Sequence, residues 1–316
     1  MPSASAFRPI TPAPPGVQWT PSRQLHFSVR GKYELDLPAD CPVRLLWCEF
    51  SGDYQVSPSY HDFLEVMQIM EGTGRYVVEN RCHRIVPGDV LLVGSGEFHR
   101  IETASRSVLR VAALHFAREF IHRPGAAPLE LEYLRPFQYR SANFVHRIEA
   151  RALDARLVAE RMGRIERALR SSHPSRPLAV RTFLADILLE ITQARDWDSE
   201  ATLSLGRRAR DLARLRPVFE LAQRRSDQRL SLRELAGCAH LSAAHFCRLF
   251  RGVVGCTFSE YLRWIRIDNA AELLTGSDRT VADIALATGF ASQSHFNRAF
   301  KQLKGVSPAV YARRMR

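Results

Sequence analysis

The chain has 316 residues, of which 46% are hydrophobic and 25% charged, the proportions of a globular protein able to bury sizeable cores. No apolar run approaches the roughly 18 residues that a membrane-spanning helix needs, and the proline-rich start has no signal-peptide core, so a cytoplasmic protein is expected. The net charge of +12 is uneven: residues 207–316 hold 20 basic and 9 acidic side chains, residues 1–206 hold 25 and 24, and this points to a polyanion-binding domain joined to a near-neutral one.

Prolines at 2, 9, 12, 14, 15 and 21 make residues 1–22 read as a flexible arm. From about 25 to 114 the apolar segments are short and β-like, with strands expected at 45–50, 63–70, 75–79, 90–93 and 109–116. Glycine-rich turns at 71–74, 87–89 and 94–96 punctuate them, the pattern of a small sandwich or barrel. The period then becomes helical: Phe144, Ile148, Leu153, Leu157, Met162, Ile165 and Leu169 form one stripe. Leu178, Phe183, Leu184, Ile187, Leu188 and Ile191 form a second, which opens at Pro177. These helices can cover the barrel, pair with a second copy, or do both. The polar stretch 196–210 reads as a linker. None of the six cysteines forms a C-x-x-C pair, and they read as small buried hydrophobes.

The last third contains a duplication. His245-Phe246-Cys247-Arg248-Leu249-Phe250 returns fifty residues later as His295-Phe296-Asn297-Arg298-Ala299-Phe300, and Ser242, Gly255 and Tyr261 return as Ser292, Gly305 and Tyr311. Each copy has the grammar of a helix-turn-helix: a short helix with a small Ala at its contact, a tight turn, then a serine-capped second helix. In the second helices Phe246, Leu249 and Phe250, and likewise Phe296, Phe300 and Leu303, take one face. The opposite face carries Ala243, Ala244, His245, Cys247, Arg248 and Arg251, then Gln293, Ser294, Asn297, Arg298 and Lys301. Gln, Asn and Arg are the side chains that bind adenine and guanine edges bidentately, so these eleven are the candidate DNA-binding residues. Between the copies, Phe258, Tyr261, Leu262, Ile265, Ala270, Leu273 and Leu274 mark a longer helix ending at Gly276. A rigid connector of that kind sets the two recognition helices about one turn of DNA, roughly 34 Å, apart.

Residues from about 212 to the end resemble the DNA-binding domain of the AraC/XylS family of bacterial transcription regulators. The motifs that carry the resemblance are Asp283-Ile284-Ala285, Thr288-Gly289-Phe290, Ser292-x-x-x-Phe296-x-Arg298-x-Phe300-Lys301, and the closing Gly305-Val306-Ser307-Pro308-Ala309-Val310-Tyr311-Ala312-Arg313. The first copy departs from the pattern with Ala243, Ala244 and Cys247 on the groove face, which leaves Arg248 as its main polar reader. The resemblance implies a ligand-sensing domain ahead of the DNA-binding one. The β segment is similar to a cupin: His61-x3-Glu65-x6-Gly72 and Gly88-x5-Gly94-x-Gly96-x2-His99 follow its two motifs, with Ser59 where the first motif has another histidine.

In metal-binding cupins His61, Glu65 and His99 would be three of four ligands. On one straight strand His61 and Glu65 lie about 13 Å apart, so joint ligation requires a bend near 62–64. The same residues read equally as satisfied polar groups in a barrel wall. A third reading makes them polar anchors of an apolar pocket with Trp47, Phe63 and Met67, an effector site for a small organic molecule. A sugar is the class the resemblance implies.

The expectation is therefore an α+β chain: an arm over 1–22, a cupin-like β-barrel sensor over 23–125, a helical connector and dimerisation region over 126–195, a linker over 196–210, and an all-α domain with two helix-turn-helix units over 211–316. Its function is effector-responsive, sequence-specific binding of promoter or operator DNA, with no catalytic residue and no cofactor. A homodimer and RNA polymerase are the expected protein partners, with no membrane association. A metal-dependent cupin enzyme fused to a DNA-binding tail and an effector-independent DNA binder are the competing readings. The direction of regulation stays open.

Overall fold

A computed structural model describes residues 17–21, 32–51, 57–78, 81–103, 107–122, 128–138, 146–195, 202–254 and 256–315. In chain order the N-terminal half has strands β1 (Thr20–Pro21), β2 (Val43–Ser51), β3 (Leu64–Glu71), β4 (Gly74–Val78), β5 (Arg81–Ile85), β6 (Val90–Val93), β7 (His99–Thr103) and β8 (Val108–Phe116). Helix α1 (Arg118–Ile121), a 3-10 turn at Pro128–Leu134, helix α2 (Arg135–Gln138) and strand β9 (Arg147–Ile148) follow, then α3 (Ala155–Leu169) and α4 (Arg176–Gln193). One sheet has the order β1-β2-β8-β3-β6-β9 and the other β5-β4-β7. All five expected strands form, with ends shifted by a residue or two. β5 and β7 are not expected, because their Arg, His and Glu content hides the alternation, and Ile148, read as part of the first helical stripe, instead pairs with Val90 in β9, with α3 beginning only at Ala155.

The large sheet is buried on both faces, and strand alternation sorts its side chains into two cores. Val43, Leu45, Trp47, Leu64, Val66, Val90, Leu92, Leu114 and Phe116 face outward onto α3 and α4, meeting Val158, Met162, Ile165, Leu184, Ile187 and Ile191. Cys48, Phe50, Met67, Leu91, Val93, Leu109, Val111 and Ala113 face inward onto Tyr76, Val78, Ile85 and Ile101. The connector stripe thus covers the barrel, although Phe144 lies outside the described residues. Asp154 caps α3, accepting hydrogen bonds from the Arg156 and Leu157 amides.

The arm is not free throughout. Thr20 and Pro21 pair in parallel with Cys48 and Glu49, and the Trp19 ring stands edge-on to Trp47 at 5.5 Å with the Arg110 guanidinium over it at 5.3 Å. Aromatic and cation contacts fix this end.

The C-terminal half is α5 (Thr202–Arg224), α6 (Leu232–Cys238), α7 (Ala243–Val254), α8 (Phe258–Gly276), α9 (Val281–Ala287), α10 (Gln293–Lys304) and α11 (Pro308–Met315). The stretch read as a linker is helical from Thr202 onward, because its Arg, Ala and Leu content favours helix over an open chain; residues 196–201 lie outside the described residues. α6–α7 and α9–α10 are the two helix-turn-helix units. The Ser242 and Ser292 hydroxyls accept from the His245 and His295 amides, both at 3.3 Å, as N-caps should. Ala236 and Ala285 are buried where the short helices meet their partners.

Two constraints fix one unit against the other. Arg266 of α8 donates to the Ser226 and Gln228 carbonyls at 2.6 and 2.9 Å, and Asn269 donates to the Ser226 hydroxyl at 3.0 Å, which pins the loop after α5. Against that loop sits the second turn: Gly289 has φ +84°, and a Cβ there would meet the Asp227 carbonyl oxygen at 2.5 Å. The same place in the first unit is filled by His240 at φ 53°, a left-handed conformation that side chains rarely adopt.

The backbone angles generate paired expectations. His240→Gly should stabilise the C-terminal half by about 0.5–1 kcal/mol, since glycine carries no Cβ penalty there. Gly289→Ala should destabilise it by about 1–2 kcal/mol or more, combining φ strain with the Asp227 clash. Urea unfolding midpoints measure both. Phe296, which is 0% exposed, should cost about 3–5 kcal/mol when cut to Ala, and a change below 1 kcal/mol would show that the site closes over the void.

Candidate sensor cavity and nucleic-acid interface

Inside the barrel a cavity of about 50 Å³ is lined by Tyr33, Cys48, Ser59, Glu65, Met67, His99 and His115, among others. The bend that joint action of His61 and Glu65 requires is present, since the chain turns at Asp62–Phe63 before β3 begins at Leu64. His61 Nε2 comes to 2.9 Å from Glu65 Oε2, His99 Nε2 lies 3.5 Å from the same oxygen, and His115 Nε2 lies 3.1 Å from Glu65 Oε1. His61 Nδ1 donates to the Phe63 carbonyl at 2.9 Å and His99 Nδ1 to the Glu97 carbonyl at 2.8 Å. Burial raises the pKa of the Glu65 carboxyl, but the His115 and His61 rings outweigh it and hold the group well below the usual carboxylate range. Burial also pushes the His99 imidazole down, toward its neutral form.

The structure brings together His61, Glu65, Met67 and His99, with the Phe63 ring stacked on His61 at 4.0 Å. Trp47 does not join them. It points to the other face of β2, packs in the helix-facing core and donates from Nε1 to Glu166 Oε2 at 3.2 Å. The even positions Leu46, Cys48 and Phe50 face the cavity instead. Sequence reading missed His115, although the signal was available: in β8 Leu109, Val111 and Ala113 face inward, and the next alternate position is His115.

On the C-terminal half, Ala243, Ala244, His245, Cys247, Arg248 and Arg251 of α7 are exposed, as are Gln293, Ser294, Arg298 and Lys301 of α10. Asn297 differs: it is half-buried, and its Oδ1 is shut from solvent without a hydrogen-bond partner, so it must rotate before that oxygen can meet a base edge. The expected apolar faces are inside, with Phe246, Phe250, Phe296, Phe300 and Leu303 all buried. Of the six cysteines Cys41, Cys48 and Cys256 are buried, whereas Cys82 and Cys247 are exposed and do not serve as core.

The two halves meet through side chains adjacent to the cavity histidines. Phe98, next to His99, is fully buried in one cluster with Leu215, Phe219, Phe250 and Tyr261 of the first helix-turn-helix region. Its ring lies 5.3 Å from Phe219 and 4.7 Å from Tyr60, the residue before His61. Burial of one Phe contributes about 1.5–3 kcal/mol to holding the halves together. A second tie runs through Asp268 of α8. Its Oδ2 accepts from the Ser57 hydroxyl, and its Oδ1 is 2.7 Å from the buried Lys304 ammonium at the end of α10.

A sensor barrel locked to a paired helix-turn-helix defines a DNA-binding regulator. The AraC-like ligand binding domain matches residues 50–188 and a helix-turn-helix domain matches residues 235–314. The chain belongs to the AraC family and is an effector-responsive, DNA-binding transcription regulator with an N-terminal sensor domain. The HTH-type transcriptional activator RhaR of Mannheimia succiniciproducens is 23% identical over 262 residues, covering 80% of this chain and 86% of RhaR. The MmsAB operon regulatory protein of Pseudomonas aeruginosa is 34% identical over 88 residues, 28% of this chain and 29% of that protein. Among solved structures, ToxT from Vibrio cholerae covers 85% of this chain and 97% of its own at 15% identity and a TM-score of 0.44.

The exposed face of α10 yields a measurable expectation. Arg298→Ala should lose about 1–3 kcal/mol of binding to a specific duplex while leaving the fold intact. Equal loss on random duplex would make Arg298 a phosphate contact rather than a base reader. Fluorescence anisotropy with the two duplexes at one salt concentration separates these.

Proposed function

We propose that the barrel cavity is the effector site and that its state reaches DNA through Tyr60 and Phe98. The observation that carries this is the position of Phe98: one residue from a cavity histidine, it is fully buried in the core of the first helix-turn-helix region. An effector that favours one arrangement of the halves over another then shifts DNA affinity by that difference. The effector-contacting residues in this reading are His61, Phe63, Glu65, Met67, His99 and His115. The DNA-contacting residues are Ala243, Ala244, His245, Cys247, Arg248 and Arg251 on α7, with Gln293, Ser294, Asn297, Arg298 and Lys301 on α10. The near-neutral barrel adds little to phosphate binding, which favours a sensing role for it over effector-free DNA binding. RNA polymerase is the partner such a regulator acts on at a promoter. Among the described residues no helix is long and apolar enough to cross a membrane.

The outer face of α4 supports a homodimer. Leu178 and Leu189 are 65% and 42% exposed. Three helical turns apart, they share a stripe with Thr182 and Ala185, opposite the buried Val180, Leu184, Ile187 and Ile191.

Two outcomes are expected. Phe98→Ser in the full chain should change affinity for a duplex selected from a random library by at least threefold, with far-UV circular dichroism unchanged. Unaltered affinity would mean that the halves act independently. In sedimentation velocity the parent should run as a dimer and Leu189→Glu as a monomer; a parent that is already monomeric would remove α4 from the interface.

A further inference from the structure

The two recognition helices share a frame and differ in what they hold out to a duplex. At the fifty-residue offset of the duplication, Ala243, Ala244, Cys247, Arg248 and Arg251 of α7 stand where α10 has Gln293, Ser294, Asn297, Arg298 and Lys301. The serine caps, the buried Phe246 and Phe296, and the positive charges are kept. Hydrogen bonding is not. At three of the five positions an amide or hydroxyl of α10 is replaced on α7 by a methyl or a thiol, and all five α7 side chains are exposed.

With about 100° between successive helical residues, Ala244, Cys247, Arg248 and Arg251 fall in one arc that faces away from Phe246, and Ala243 flanks it. Such a face is mismatched to most base edges. An adenine, guanine or cytosine edge pressed against Ala244 and Cys247 gives up water and receives no donor or acceptor in return, which costs affinity. The C5-methyl of thymine is the apolar group of the major groove. Against it the same side chains bury apolar surface and strand no polar atom. Cys247 serves here as a small hydrophobe, since a free cysteine is only a weak donor. Short side chains also let α7 sit nearer the groove floor than a helix with Gln and Asn at these places. Arg248 and Arg251 flank the apolar positions on the same arc and supply the attraction to phosphate.

We propose that α7 selects its half of the operator by thymine methyl groups, with Ala244 and Cys247 as the specificity-determining residues and Ala243 at the edge of the contact. This assignment rests on the reading that α7 lies on the duplex, and it names the bases chosen there. The two halves of the operator are then unlike in chemistry. Under α10, Gln293, Ser294, Asn297 and Arg298 choose bases by hydrogen bonds to their edges. Under α7 the choice is made by shape and burial, and it turns on a carbon that takes no part in base pairing. Uracil pairs as thymine does and lacks only that methyl, so the two bases separate the proposed contact from every other feature of the site.

The test uses the full chain and a duplex that it selects from a random library. Each thymine of that duplex is exchanged singly for uracil, and affinity is read by anisotropy at one salt concentration. A cluster of thymines in one half of the site should be sensitive, each lost methyl weakening binding about fourfold, the worth of one buried carbon. A C5-bromouracil at the same places, which restores a group of methyl size, should recover the affinity. A chain with Ala243→Gln, Ala244→Ser and Cys247→Asn, which gives α7 the face of α10, should bind thymine and uracil duplexes alike. Cys247→Asn alone should remove part of the discrimination, and Gln293→Ala on α10 should leave it intact. Circular dichroism checks the fold of each variant, and the comparison of bases in the parent needs no variant. A duplex with no sensitive thymine, or a sensitivity that survives the exchange of the α7 face, overturns the proposal. Arg248→Ala then separates the two levels. Weaker binding of the selected duplex would keep α7 on the DNA and sink only the methyl contact, whereas unchanged binding of every duplex would take α7 off the DNA and sink both.

Discussion

A strand buried on both faces has no side chain to spare for solvent, and the large sheet of this protein carries that constraint through β2, β3, β6 and β8. One set of alternating residues must be apolar to seat α3 and α4, and the other must fill a barrel without closing it. A polar side chain in such an interior needs partners of its own. Glu65 is 4% exposed and survives there because His61, His99 and His115 surround its carboxylate. The Glu65 cluster is thus a place where the packing rule is broken under supervision.

How legible all this was in the sequence varies with the range of the interactions involved. The helix-turn-helix units were plain because a duplication repeats caps, turn and core positions in register, and each of these is a local feature. The strands with apolar alternation were plain for the same reason. β5 and β7 were not, since Arg81, His83, His99 and Glu102 occupy places where only the tertiary environment says which way a side chain points. Trp47 shows the same limit. In a run as apolar as Leu45, Leu46, Trp47 and Cys48 the period of two has no polar phase to anchor it, and the ring was assigned to the cavity face when it belongs to the helix face. His115 lies fifty residues beyond Glu65 and meets its carboxylate only through β3–β8 pairing, in which Glu65 is the direct partner of His115. The polar stretch that runs into α5 looks like a linker because charge density resembles solvation, yet its Arg, Ala and Leu are good helix formers and from Thr202 it is helix.

Charge divides the molecule as cleanly as the fold does. The basic excess of the last 110 residues is a field that any nucleic acid would feel, and the barrel contributes little to it. On the proposed reading, what distinguishes sequences comes from the few side chains on α7 and α10, and these are unequal. α10 exposes Gln293, Ser294, Arg298 and Lys301, whereas α7 exposes mostly small groups beside Arg248 and Arg251. The better-equipped reader is therefore the unit farther along the chain, and the unit whose core receives Phe98 from the barrel is the poorer one.

Asp268 gives that inequality a mechanical side. Its two oxygens are divided between a hydroxyl of the sensor half and the ammonium at the end of the second recognition helix. A single carboxylate is thereby a shared pivot. The second recognition helix cannot swing outward without drawing Lys304 off Asp268, and Ser57 reaches that helix through this carboxylate on α8 without passing through α7. The two units, so alike in sequence, meet the barrel through different contacts, Phe98 for the first and Asp268 for the second.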